Sequence, residues 1–407
     1  MRIILSISFS ILFHYTICAQ YEWTTYSNGG DLANAVNCIE IVNNNEIWVG
    51  TLENGLQLFN GYSYQVFNME NSPLPGNRVY DIILDSNRKW VGTIGGLAII
   101  DGDSWTLYDS KNSKLPGNTV ISMIREEQGR MWYGTNEGVV VDLFGTVYNS
   151  RNSGLPGDQI LDMELDSKGT IWFATEKGIA SFDGVTWKSH VAGTGILPIG
   201  GVRVLEMDNN NNLWASFVYG SDGSLLRFDG TKWELIKTEN NLFDAVGVYD
   251  IVSKGNGEIW FGTHHKGLMK YDGSNWEHFR NETSDIPINQ IISLEVDSEG
   301  NVWMGSRKGL TKIVSLPSSN LHHEKPVESI QIIPNPFKDY TEITVPQILE
   351  KPYSFYLYNT IGKQVRLIKD LKSGSFIIHN DGLKPGLYFY KIRSNLKEFT
   401  GKLFVIE

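Results

Sequence analysis

Disulfides are the first thing this sequence does without. Its 407 residues contain two cysteines, Cys18 and Cys38. Cys18 lies in an N-terminal leader, so a processed chain keeps one thiol and cannot form an internal disulfide. Stability must therefore come from a large packed core. Cys38 sits in the apolar run 36–42 and reads as a small buried hydrophobe, not a reactive thiol. Positive charge is also short: 35 Lys and Arg face 46 Asp and Glu, a formal net charge of −11. That balance argues against a nucleic-acid partner, which calls for a basic surface. No apolar run after the leader is long enough to span a bilayer, so no transmembrane span is expected in the mature chain. His-Glu-x-x-His, a P-loop and a paired-cysteine zinc motif are all missing, and no cofactor is implied. Asp208-x-Asn210-x-Asn212 opens like a calcium loop but lacks the following Gly and the distal Glu. Leu213-Trp214 begins a strand at once, so an ordinary turn is expected.

The leader has Arg2, an apolar stretch from Ile3 to Ile17, and Cys18-Ala19-Gln20 as a small-residue cleavage site. Residues 1–19 are expected to be a signal peptide.

Glycine (41 residues) and aromatics (12%) are abundant, a pairing that suits short strands and tight turns. Seven tryptophans, Trp48, Trp90, Trp132, Trp172, Trp214, Trp260 and Trp303, recur at spacings of 42, 42, 40, 42, 46 and 43. A period near 42 fits a four-stranded propeller blade. Each unit has an apolar first strand, such as Val79 to Leu84, and a polar turn. The anchor Trp with Gly-Thr follows, then Gly-Leu, an Asp-Gly hairpin and a fourth strand with a second aromatic: Trp105, Trp187, Trp233 or Trp276, with Tyr64 in the first unit. Trp23 has no unit before it, and the unit of Trp303 has no fourth strand after it. Both defects vanish if the N-terminal strand completes the last unit, since closure removes free sheet edges. The expected fold is all-β: a seven-bladed propeller over about residues 20–315, closed by that strand. The repeated Trp reads as a packing wedge and the Gly of Gly-Thr as a site of close backbone approach.

The repeated pattern Trp-x-Gly-Thr-x-x-Gly-Leu with Asp-Gly resembles the two-component regulator propeller repeat. In that family the repeat forms sensor regions, often as tandem propellers. This chain has one set of seven units and neither membrane span nor kinase, so the signalling role does not carry over. Local departures include Ala174 for Gly, Ser306 for Thr and a longer turn from Phe217 to Gly223.

Residues 316–329 read as a linker. Charge then reverses: 330–407 carry 11 Lys and Arg against 7 Asp and Glu, a net of +4. Short strand patterns at 353–358, 376–379, 387–392 and 402–406 predict a small β-sandwich. Four motifs in order resemble the type A C-terminal sorting domain of the type IX secretion system. They are Pro334-Asn335-Pro336-Phe337, a central motif around Gly362, a third around Gly386 and Tyr388, and the terminal strand Gly401 to Val405. The resemblance implies Sec export, outer-membrane passage by the type IX machinery, and an extracellular or surface location.

Function is expected in what varies between copies. Strand parity puts the fourth-to-first connections on one face with the turns after Gly-Thr. Loops ringing a central funnel there carry the candidate ligand contacts Arg78, Asn118, Asp158, Tyr219, His264, His265, Asn289 and Arg307. The leading expectation is a non-catalytic binder of a glycan or protein. The alternative is a polysaccharide lyase or hydrolase with His264 or His265 as base.

Overall fold

A computed structural model of the chain describes residues 21–26, 35–85, 88–190, 200–217, 225–236, 247–316, 330–345, 352–372, 375–394 and 398–406. The leader, Tyr219 and nearly all of the linker lie outside the described residues. The chain divides into two compact units, Met1–Pro317 and Ser318–Glu407. The secondary-structure elements of the described residues are all β-strands.

The first unit holds seven four-stranded antiparallel sheets among its described residues. In the first sheet, Val36–Asn43, Glu46–Thr51, Leu56–Phe59 and Tyr64–Phe67 pair in chain order. Five more sheets repeat that order at 79–108, 120–148, 160–190, 202–235 and 248–279. The seventh joins Ile291–Val296, Val302–Ser306 and Gly309–Ser315, and its fourth place is taken by Tyr21–Tyr26, with Trp23 opposite Ile313. First strands of successive sheets lie side by side, and the first strand of the seventh sheet also adjoins Val36–Asn43.

Two sequence features make these sheets pack. Where Gly-Thr supplies a glycine, the first strand of the next sheet comes very close. A Cβ on Gly134 would sit 2.6 Å from the Ile160 side chain, and one on Gly305 only 2.4 Å from Val36. A larger side chain would push the neighbouring sheet away. The anchor tryptophan fills the space beside that contact. Trp132 packs with Ile160, Met163 and Phe173 of the next sheet, and Trp303 with Val36, Ile39 and Val49. Several indole N–H groups are met by the acidic residue of the preceding turn, as in Trp214 to Asp208 and Trp303 to Asp297, both 3.0 Å. The Asp208 carboxylate also accepts from Asn212, so the Asp208–Asn212 segment is an ordinary turn.

The threonine after the glycine closes the next turn. Thr51, Thr93, Thr135, Thr175 and Thr263 donate to the carbonyls of Gly55, Gly96, Gly138, Gly178 and Gly267 at 2.7–2.9 Å, and all five are fully buried. These turns in turn bond the fourth-to-first connections: Ile94 N–H donates to Arg78 O, and Gly267 N–H to Asn289 O. The two turn types thus share one face.

Each first strand also carries a bulge near its start, for example between Val79 and Asp81 or Val248 and Asp250. The extra residue in each sheet (Asn37, Tyr80, Ile121, Leu161, Arg203, Tyr249, Ile292) is turned toward a central channel.

The second unit places Gln331–Ile333, Tyr340–Thr344 and Ser375–His379 in one sheet. Tyr353–Asn359, Gln364–Leu371, Gly386–Arg393 and Glu398–Val405 form the other. Ile343 and Ile378 from the first meet Phe355, Leu357, Ile392 and Leu403 from the second in one buried core.

Thr135→Val keeps the shape of that side chain but deletes its bonds to Gly138 O and from Glu137 N–H. A loss of about 1–3 kcal/mol is expected in denaturant unfolding. Thr135→Ser, which keeps the hydroxyl, should lose less. Equal stability of wild type and Thr135→Val would refute the role given to the hydroxyl.

Candidate functional site

The first strands surround a channel of about 830 Å³. Its wall holds seven carboxylates at two levels. Asp81, Asp162 and Asp250 follow directly after a bulge, and Glu40, Glu164, Glu206 and Glu295 lie two residues deeper in their strand register. They are not solvated surface acids. Asp81 accepts from Ile82 N–H and, across to the next sheet, from Met123 N–H at 2.6 Å. Asp162 reaches Leu205 N–H at 2.8 Å, Asp250 reaches Leu294 N–H at 2.6 Å, and Glu206 reaches Ser253 N–H at 2.6 Å. Asp81, Asp162, Asp250 and Glu206 therefore each tie their sheet to the next one through backbone.

Burial dominates their ionisation. It pushes Asp81 and Asp162 up to about 7 and Asp250 to about 8, against the lowering effect of the N–H groups. Glu40 and Glu164 rise to about 8 and Glu295 to about 7; Glu206 is raised well above its ordinary range. Neighbouring carboxylates add to the effect at Glu40, Glu164 and Glu206.

Around this acidic interior the mouth is cationic and aromatic. Arg203 of the fifth sheet stacks on Tyr249 of the sixth, its guanidinium carbon 3.8 Å from the ring centre. The same tyrosine lies 4.9 Å from the His264 ring. His264 and His265 meet through their Nδ1 atoms at 3.3 Å. Burial holds the His264 pKa below its ordinary value, helped by the nearby charges of His265, Arg203 and Arg307. Arg307 of the seventh sheet thus acts on the same point. Arg78 lines the channel too, with its Nε donating to Leu52 O at 3.2 Å.

Four of the expected contacts are thereby tied to one mouth: Arg78, His264, His265 and Arg307. Three others hold loops and do not line the channel. Asn118 accepts from Ser110 N–H, Asp158 from Ser150 N–H and Asn289 from Asn281 N–H, at 2.7–2.9 Å. Asn77 does the same for Met69, so this staple belongs to the repeat. The Ser150 N–H bond is the main reason the Asp158 carboxyl lies below its usual range. Tyr219 lies outside the described residues.

Sequence reasoning missed the seven carboxylates, Arg203 and Tyr249. The signal was there: Asp81, Asp162 and Asp250 recur at one position of otherwise apolar strands.

In the second unit, Asn335 accepts from Phe404 N–H and donates to Lys402 O, joining the Pro334-Asn335-Pro336 motif to the last strand. Pro334 O accepts from Thr341. Gly362 occupies a turn at φ 78° that favours glycine. Gly386 begins the strand that carries Tyr388, a buried residue whose hydroxyl donates to Lys384 O.

Comparison with known proteins agrees with both halves. Residues 331–407 match the secretion system C-terminal sorting domain. The tail is a type IX sorting domain. It places the protein outside the cell or on its surface and implies contact with the secretion machinery. Residues 154–177 and 285–308 match the two component regulator propeller. No curated protein matches the chain in sequence. Among solved structures, the extracellular domain of the hybrid two component system BT4673 from B. thetaiotaomicron is similar at a TM-score of 0.60 and 19% identity, over 80% of this chain. The chain spans 45% of that domain's length. Virginiamycin B lyase from Staphylococcus aureus aligns at 0.57 and 13% identity, over 73% of this chain and 100% of its own. YCF48 bound to D1 peptide aligns at 0.54 and 14%, over 73% and 97%. At these identities the likeness shows the fold alone: the first unit is a β-propeller.

The raised carboxyl pKa values carry a sign. Each acid binds its proton more tightly folded than unfolded, so its contribution is fully present below about pH 4 and is lost as pH rises through 7 to 8. The melting temperature of the propeller is expected to fall from pH 5 to pH 9. Glu295→Gln, at a site with one backbone hydrogen bond, should flatten that slope. A melting temperature that rises over the same range would contradict the assignment.

Proposed function

We propose that the seven sheets are the blades of a closed seven-bladed propeller. Residues 1–19 act as its signal peptide and 316–329 as a linker to the sorting domain. Its axial mouth binds a glycan or protein ligand without converting it. Pairing of Tyr21–Tyr26 with Gly309–Ser315, and the adjacency of the seventh and first inner strands, support closure. The binding reading rests chiefly on the Arg203–Tyr249–His264 stack. Two sheets bring a guanidinium, a half-buried tyrosine and an imidazole to one point there, whereas in the other copies the same turns carry residues such as Leu52-Glu53-Asn54. Arg78 and Arg307 widen this cationic rim, so a ligand presenting acid groups suits it.

One observation favours the alternative of lyase or hydrolase chemistry. His264 is biased toward the neutral form that a general base requires.

Two experiments separate these readings. Arrays of glycans and peptides probed with the full chain should give a saturable ligand. Arg203→Ala and Tyr249→Ala should each weaken it at least tenfold. Retention of binding in both variants refutes the mouth as the site, and release of a product that stops in His264→Ala replaces binding with catalysis. For closure, a chain beginning at residue 27 leaves Gly309–Ser315 as an open edge. It should melt lower and self-associate; an unchanged melting temperature would rule closure out.

A further inference from the structure

A second site lies at the other ends of the strands, between the fourth and fifth sheets. It is independent of the axial mouth. The seven repeats serve as controls for one another. The residue paired with the anchor Trp on the third strand is Leu58, Ile99 or Val141 in the first three sheets, and Arg227, Lys270 or Lys312 in the last three. Each is branched or long. In the fourth sheet Trp172 faces Ser181. The fourth strand differs as well. Phe67, Tyr148 and Phe279 stack on the anchor Trp of their own sheets at 5.6–6.0 Å, and in the fourth sheet His190 takes that place, 5.1 Å from Trp172. The two changes meet: Ser181 Oγ and His190 Nε2 are 3.2 Å apart.

The shortened side chain leaves a cavity of about 190 Å³. Trp172, His190 and Phe228 form flat walls, and Asp166, Lys168 and Lys188 reach the rim. Asn211 bridges the two sheets beside it by accepting from Ser167 N–H at 2.9 Å. Burial, then the charge of Lys188, pushes the His190 pKa down to about 4, so the ring stays neutral near pH 7.

We propose that this cavity is a subsite for one neutral sugar ring. A pyranose has a flat C–H face and an edge of hydroxyls, and the cavity answers with aromatic walls and a rim of both donors and acceptors. The volume falls below the roughly 300 Å³ at which pockets for drug-sized ligands begin, which suits a single ring. An aromatic side chain could use the walls, but it would offer no acceptor to the Lys168 and Lys188 ammonium groups at the rim.

Saturation-transfer NMR on the full chain with glucose, galactose, mannose and N-acetylglucosamine tests this. Transfer to at least one sugar is expected, with millimolar affinity. Ser181→Leu and His190→Phe each install a residue the sister repeats carry at the same position, so the fold should survive, as thermal melts would verify. Each should weaken the sugar at least tenfold. No transfer to any of the four sugars, or transfer unchanged in either folded variant, overturns the proposal. So does preferential transfer to N-acetylphenylalaninamide.

Discussion

The distance between neighbouring sheets governs everything else in the first unit. A bare glycine on one second strand lets Val or Ile of the next first strand approach until a methyl group would collide. Close approach brings the tryptophan wedges into full contact and draws the inner strands around a narrow axis. Hydrophobic burial is non-directional and would tolerate sliding. The backbone bonds accepted by Asp81, Asp162, Asp250 and Glu206 are directional, and they fix the height at which one inner strand meets the next. Packing sets the spacing, and polar contacts set the register.

The same constraint makes the channel electrostatically unusual. Carboxylates that serve as acceptors between sheets end up together in one channel, where partial burial favours their protonated forms. The interior can therefore exchange protons near neutral pH. Above it, Arg203, Arg307 and Arg78 give the mouth the opposite sign.

Much of the fold was legible in the sequence because propeller repeats announce themselves by period. Trp48 to Trp303 counted the units, Asp-Gly marked the hairpins, and the unmatched strand of Trp23 pointed to its partner at Gly309–Ser315. The sorting motifs were equally readable, since Asn335 and Gly362 are tied to particular backbone geometry. The site was harder. Asn118, Asp158 and Asn289 looked like ligand contacts because they are polar and lie in loops, yet their side chains are consumed by local hydrogen bonds. Arg203 and Tyr249 were hidden for the opposite reason. They sit within strands that read as apolar alternation, and only the bulge turns them toward the axis. A one-residue irregularity of this kind leaves no period to detect.

Repetition also offers a way to weigh any single residue. A feature that recurs through most copies, such as the Gly-Thr pair or the loop staple, is accounted for by the ring itself. A departure must be absorbed locally, and the structure shows how. Ala174 stands where the other sheets have glycine or Ser216, and Val202 beside it packs around the added methyl in a core shared by both sheets. The Ser181 and His190 pair is different in kind. The smaller side chain is not filled from any side, and a neutral, hydrogen-bonding ring replaces an inert one. An unfilled volume beside Trp172 forfeits packing contacts that a longer side chain at Ser181 would make. On the sugar-subsite proposal, that cost is what the fourth repeat exchanges for recognition.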